Sequence, residues 1–421
     1  MWRANVVIIL AGLITGPITA RALGAEGRGE LAAIIAVLTL APWVLDLGMS
    51  LWLGRERALG RSRAELLGAA LPVALACSLL GVAAAIPLSH ALGGGRPVVV
   101  TFLQIGLFLM PVSVVLHILL GLAIGEARWR LVTSVRIVAS VLPVIVIVIL
   151  VVIDQLTVAS AAAAYLGGGL VGSLIVVHVV RGAGRPRFDR RRARTATVFG
   201  TKSWLSTVAG TANNRLDQVL MAGLVTSREL GFYAVAVTVG SLTSSLIGAV
   251  CNALIPRVAI GDGDLAARSC RVTAGTVAVV GVLLAAVTPT MVPFVFGAEF
   301  ADAVPMVLIL LVASVPMASA FVLTFALNAA DDPGAAMRAE LVALALTVPA
   351  LIVLLPAYGG IAAALISLVA YGIRLAMQLA SAQRVFGRRW TNFIVPTAED
   401  LRWAARLARG LRAAQTRDGV A

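Results

Sequence analysis

The chain has 421 residues, is 60% hydrophobic and 13% charged, and carries a formal net charge of +14. Soluble domains hold about 45–50% apolar residues, so this composition excludes a soluble enzyme or binding domain. Excess positive charge also marks nucleic-acid binders, but basic residues massed on the inner loops of a membrane protein give the same sum, and the apolar content selects that reading.

A run of about 20 apolar residues crosses the hydrocarbon as a helix, and in lipid only helices and closed barrels satisfy their own backbone. The runs here are too long and uniform for the alternating strands of a barrel. In chain order the sequence predicts spans at 5–23, 31–53, 66–91, 98–122, 131–153, 157–180, 203–225, 230–254, 272–295, 303–327, 339–356 and 359–383. The expected fold is therefore all-α and membrane-embedded, with about twelve transmembrane helices. The opening MWRANVVIILAGLITGPITARALG could pass for a signal peptide with ARA as its cleavage site. Its removal would spoil the parity of every later loop, so it is read as the first span.

That parity is carried by arginine. The termini and even-numbered connections hold 27 of the 34 Lys and Arg residues, against four (Arg21, Arg28, Arg96 and Arg228) on the odd ones. Positive charge marks the cytoplasmic side, which predicts both termini inside. Span 2 carries Asp46 beside Pro42, Gly48 and Ser50, where Pro and Gly loosen a helix. Asp46 is expected to pair with an arginine, or else to exchange a proton. Arg55 and Arg57 end that span at the inner face. His117 in span 4 is expected to be a hydrogen-bonded packing residue. Arg136 and Arg374 sit near the inner ends of spans 5 and 12. Cys77, Cys251 and Cys270 show no metal-ligand spacing and read as small apolar filler.

The stretch RGAGRPRFDRRRARTATVFGTKS is the largest internal hydrophilic segment, and six spans lie on either side of it. The expected organisation is a six-helix bundle over 1–180, a basic cytoplasmic linker over 181–202, a second bundle over 203–383 and a basic cytoplasmic tail over 384–421. The halves look weakly alike: Gly29 to Arg55 and Gly231 to Arg257 have the same spacing. Two pseudo-symmetric bundles around a central cavity would account for that, with the site at their interface. Span 7 is the most polar. Ser206, Gly210, Asn213 and Asp217 recur at helical spacing, and Thr207, Thr211, Asn214, Arg215 and Gln218 fill the adjoining face. An ionisable group at mid-bilayer costs roughly 2.5–3.5 kcal/mol on insertion scales, so this face must line protein or a wet cavity. On a regular helix Arg215 and Asp217 would diverge by about 200°. In the tail, Arg402, Arg406, Arg409 and Arg412 share one helical face, which reads either as an amphipathic helix on anionic phospholipid or as an unstructured basic tail.

Three segments, TARALGAEGRGELAA, NNRLDQVLMAGLVTSRELGFYAVA and VPFVFGAEFADAVPMVLIL, with the short turn in LLGLAIGEARWRLVTSV, together resemble the polysaccharide flippases of the multidrug/oligosaccharidyl-lipid/polysaccharide exporter superfamily. These are the O-antigen and teichoic-acid export type. The resemblance covers nearly the whole chain. It implies a bacterial inner-membrane transporter that flips an undecaprenyl-diphosphate-linked oligosaccharide from the cytoplasmic to the outer leaflet by alternating access. No cofactor, metal or nucleic acid is implied. The lipid-linked oligosaccharide, anionic phospholipids, a polysaccharide polymerase and chain-length machinery are the expected partners. Substrate-binding candidates are Arg215, Asn213, Asn214, Asp217, Arg21, Asp46, Arg55, Arg57, Arg136 and Arg374. Arg215 either meets the lipid diphosphate, for which a guanidinium fork is suited, or pairs with another helix to hold the bundle.

Competing expectations are a cell-wall lipid precursor flippase, a cation-coupled drug antiporter, a membrane polysaccharide polymerase or ligase, and a non-transporting scaffold. The antiporter needs buried acids, and spans 1–6 offer little beyond Asp46 and Asp154. The enzyme would carry a long outer loop, and the outer loops are short. FGTKSW lacks the Gly-Lys pair of a phosphate-binding loop.

Overall fold

A computed structural model describes residues 2–181, 188–213, 215–258, 263–330, 332–395, 397 and 399–400. Among these the chain is helical, with no strand: α1 (Trp2–Leu45), α2 (Met49–Ala58), α3 (Arg63–Leu92), α4 (Pro97–Phe108), α5 (Met110–Gly125), α6 (Trp129–Val152), α7 (Val158–Leu174), α8 (Arg190–Asn213), α9 (Leu216–Leu224), α10 (Ser227–Val258), α11 (Gly263–Phe296), α12 (Val304–Ala329), α13 (Pro333–Phe386) and the short α14 (Thr391–Ile394). The expected tail helix over 401–412 lies outside the described residues.

Seven of the described helices, or eight counting the bent pair α4–α5, are long and apolar enough to cross a membrane. Two of these are double length. The apolar stretch of α1 runs 39 residues and that of α13 runs 53, about 58 Å and 80 Å at the α-helical rise, against a hydrocarbon core of about 30 Å. Each is broken by a glycine in a backbone region closed to most L-residues: Gly24 at φ 68° and Gly359 at φ 55°. Counted by limbs, the helices carry the twelve predicted spans, with glycine breaks where loops were expected after spans 1 and 11.

Three further spans are interrupted. The α4–α5 pair bends by 53°, just ahead of Pro111, which cannot donate to the preceding turn. Span 2 breaks at Asp46–Gly48, where Leu47 and Gly48 adopt positive φ (48° and 72°). Span 7 breaks between α8 and α9, so the regular helix assumed for Arg215 and Asp217 does not run through them.

The chain divides into two compact units. Unit 1 is 1–238 with 289–306 and 347–363; unit 2 is 239–288, 307–346 and 364–421. In lipid there is no hydrophobic drive between helices, so close packing falls to small residues. In unit 1, a Cβ on Gly121 would lie 2.2 Å from the Ser50 carbonyl oxygen, and one on Gly125 would lie 2.3 Å from that of Gly54; α2 and α5 therefore touch backbone to backbone. The core beside them holds Met49, Trp52, Leu67, Ile118 and Leu122. Large apolar side chains such as Leu80, Phe108, Val152 and Phe294 point outward, as lipid permits.

In unit 2, Cys270, Leu323, Leu327, Leu379 and Phe393 form the core. At one end of it Asp400 accepts from Arg271 Nε at 2.7 Å and Nη2 at 2.8 Å, and from the Thr397 amide at 2.7 Å. Burial alone would raise the Asp400 carboxyl, but these bonds outweigh it and hold the group down at about 2. A depressed carboxyl stabilises above its ordinary range and loses that contribution as pH falls towards 2. Asp400→Asn should therefore undock residues 391–400 from α11 at neutral pH, read as roughly tenfold faster proteolysis near Arg388 and Arg389. Wild type should show the same loosening only in strong acid.

Candidate functional site

Both glycine breaks lie in unit 1, where the helices around them pack into a close crossing, termed the seal. Each break exposes fresh backbone N–H groups, which need acceptors. The Ala25 amide, just past Gly24, donates to Glu299 Oε1 at 3.1 Å. The Gly360 amide, just past Gly359, donates to Glu229 Oε2 at 3.0 Å. Arg21 donates through Nε to the Val295 carbonyl at 2.9 Å, and through Nη2 to that of Phe294. Between the two caps, α1 and α10 cross at Gly29 and Gly231. A Cβ on Gly29 would fall 1.7 Å from the Ser227 carbonyl oxygen, and one on Gly231 would fall 1.9 Å from that of Ala25. The two glycines matched by spacing in the sequence thus meet each other.

Next to this seal stands Arg28. Its Nη2 reaches Thr238 Oγ1 at 3.4 Å. Its Nε is shut off from solvent with no partner, and among the described residues no carboxylate lies within ion-pair distance. A half-buried guanidinium without a counter-charge is costly, which makes Arg28 a place for an anion in unit 1; Arg96, whose Nη1 is also buried without a partner among the described residues, is another. The sequence flagged Arg28 only as a loop arginine; its position four residues after the Gly-break motif was the available signal. The buried Tyr233 donates its hydroxyl to Asp217, and Arg215 is exposed at the start of α9. Asn213 ends α8, its side chain not described, and Asn214 lies outside the described residues.

Deeper in unit 1, Asp46 is almost fully buried. Its carboxylate accepts from the Gly48 amide at 2.8 Å, the Ser50 amide at 3.4 Å and the Ser50 hydroxyl, and lies 3.6 Å from His117 Nε2. The expected arginine partner gives way to a histidine and a local cap, because the helix break aims its own amides at the carboxylate. His117 in turn borders a mostly apolar cavity of about 360 Å³ with Pro42, Met110 and Tyr165.

The other candidates, Arg136 apart, are already engaged. Arg57 Nε and Arg63 Nη2 each bond Glu126 at 2.8 Å. Burial alone would raise the Glu126 carboxyl; the bonds from Arg63 and Arg57 prevail and hold it below its ordinary value. Arg55 pairs with Glu56 at 3.2 Å and lies 4.8 Å over the Phe199 ring. In unit 2, Arg374 is buried against Glu340 at 2.8 Å. Arg136 is exposed on α6. Among the described residues no three His, Cys, Asp or Glu side chains gather as metal ligands.

The sequence profile of the family described as polysaccharide biosynthesis protein matches residues 3–260. No curated protein sequence matches. Solved structures share the fold at low identity. The lipid II flippase MurJ in an inward closed conformation aligns at TM-score 0.76 and 12% identity, covering 91% of this chain and 88% of its own. An inward-facing multidrug resistance MATE family transporter of the MOP superfamily aligns at 0.66 and 14%, covering 91% and 95%. The MATE multidrug transporter DinF-BH aligns at 0.60 and 15%, covering 91% and 94%.

Proposed function

Because the chain belongs to the polysaccharide biosynthesis protein family, we propose that it is a transporter that moves a lipid-diphosphate-linked oligosaccharide from the cytoplasmic to the outer leaflet of a bacterial cell membrane. The observation that carries this reading is Arg28, a half-buried guanidinium whose Nε is shut off from solvent and which has no carboxylate partner among the described residues. A diphosphate supplies the missing charge and accepts the bidentate fork. A cationic cargo would meet repulsion there, which disfavours the drug antiporter.

In this reading the arginine-poor end is the outer face, and the seal at Gly24, Gly29, Gly231 and Gly359 is the outer gate in its closed state. Arg215, exposed at the break of span 7, adds a second cation for the headgroup. The cycle alternates access: the headgroup binds from the cytoplasm, the seal parts, and the glycan leaves outward while the polyprenyl tail stays in lipid.

The test is a deletion strain in which lipid-linked oligosaccharide is followed by leaflet. Intermediates stranded on the cytoplasmic side and released by the intact gene support the proposal. Units that reach the outer leaflet but remain unpolymerised would point to a polymerase or ligase. Stranding of the cell-wall precursor alone would keep the diphosphate chemistry and change the glycan. Normal export with altered resistance to cationic drugs would overturn the reading in favour of the antiporter.

A further inference from the structure

We propose that Asp46 and His117 form a proton-binding site whose occupancy sets the break in the second span, and that the bound proton is the coupling ion of transport. The first part stands on the geometry of unit 1 alone; the second rests on the transport reading.

Asp46 does two jobs at once. Through Gly48 N, Ser50 N and the Ser50 hydroxyl it ties down a turn in which Leu47 and Gly48 both have positive φ. For Leu47 that conformation is one L-residues seldom adopt, so it needs the carboxylate to hold it. Through Oδ2 the same carboxylate faces His117 Nε2 at 3.6 Å. A proton taken up by this buried pair changes its net charge by one and changes what the carboxylate can accept. Histidine is the side chain whose ordinary titration falls at physiological pH. The proton has a place to arrive from: the His117 ring borders the 360 Å³ cavity, which has room for water.

Among the described residues on that cavity, the titratable groups are His117 from α5 and Tyr165 from α7; α6 presents Val135 and Ala139. From α1, Trp43 packs edge-on against His117 with ring centroids 4.7 Å apart. From α8, Trp204 Nε1 donates to the Val44 carbonyl at 2.8 Å, and the side chain of Lys202 is not described.

The break is not free-standing. A Cβ on Gly48 would lie 2.5 Å from the Gly200 carbonyl oxygen, and one on Gly200 would lie 2.5 Å from that of Leu47. The turn capped by Asp46 is thus the docking point of α8, the helix that leads to the break at Arg215. A proton on His117 makes its Nε2 a donor that competes with the Ser50 amide and hydroxyl for Asp46 Oδ2, which loosens the turn and frees α8 to shift. A ligand that favours one of two conformations moves the equilibrium between them; here the ligand is a proton.

Trp43 provides a built-in probe, because a protonated imidazole on its edge quenches indole fluorescence. In the purified full-length protein, the fluorescence difference between wild type and Trp43→Phe should show a single-proton transition as pH is varied. His117→Gln should remove it, and Asp46→Asn should displace its midpoint. Deuterium uptake by the amides of residues 46–50, corrected for intrinsic rate, should rise across the same transition in wild type and stay flat in His117→Gln. A flat difference signal together with pH-independent uptake at 46–50 overturns the proton site.

For the coupling, proteoliposomes are loaded with a short-chain polyprenyl diphosphate carrying a labelled sugar. Wild type should move it about tenfold faster per imposed pH unit, and His117→Gln should ignore the gradient. Movement by wild type that ignores the gradient overturns the coupling and leaves the flippase standing. No movement by wild type counts against the flippase, while the fluorescence and deuterium readouts still decide the proton site.

Discussion

Replacing Arg28 by alanine should slow export of the lipid-linked oligosaccharide at least about tenfold while the protein remains in the membrane at its normal level. A charge-assisted contact to an ionised ligand is worth roughly 1.5–3 kcal/mol, so losing the fork should slow export by about tenfold to more than a hundredfold. Arg28→Lys should fall between, since it keeps the charge and loses the planar geometry. The expectation follows from the fate of the other arginines. Arg21 is taken up by the Phe294 and Val295 carbonyls, Arg57 and Arg63 by Glu126, and Arg374 by Glu340. Arg28 has one long contact to Thr238 and an enclosed Nε with none. A structural arginine would behave the other way: its loss would lower the amount of folded protein and leave the export rate per molecule unchanged. Leaflet-resolved export normalised to membrane level separates the two.

The second large effect should come from Gly231. Gly231→Val puts branched carbon where a Cβ already falls 1.9 Å from the Ala25 carbonyl oxygen. The obstacle is backbone rather than the end of a flexible side chain, so α1 and α10 must separate. Overpacking of this kind costs about 1–3 kcal/mol even where side chains can adjust, and backbone cannot. The variant should lose about 3 kcal/mol or more of stability at the seal, and the partner change Gly29→Val should match it. Cysteines placed at Ala25 and Ser227 should react with a membrane-impermeant reagent added from outside much faster in these variants than in the parent. Equal labelling would mean the crossing does not seal that face.

The apolar spans were legible because lipid forces them: hydrocarbon thickness sets the length of each apolar run. The breaks were not. Gly24, Gly48 and Gly359 look in sequence like the chain's other glycines, and only the backbone angle distinguishes them. For Asp46 the residue and its loosened helix were readable, but His117 is brought to it by packing of α5 on α2, which no local pattern encodes. Span 7 was rightly singled out as polar; its interruption at Arg215 was hidden because a broken span and a continuous one have the same composition. Arg28 was overlooked for a different reason. Counting charges by loop assigns every outer arginine to topology and cannot tell an exposed one from an enclosed one.

The carboxylate cap on the Gly24 break also bears on how the chain is made. The Ala25 amide and its acceptor Glu299 are 274 residues apart in sequence. At roughly 5–20 residues per second, the first hairpin leaves the ribosome with its bend uncapped and waits tens of seconds for the acceptor. Arg21 waits just as long for the 294 and 295 carbonyls. Throughout that interval the nascent protein has one face unlatched, and a product truncated before α12 can never fasten it. A late-arriving clasp of this sort makes closure of the seal a sign that synthesis has passed the eleventh helix.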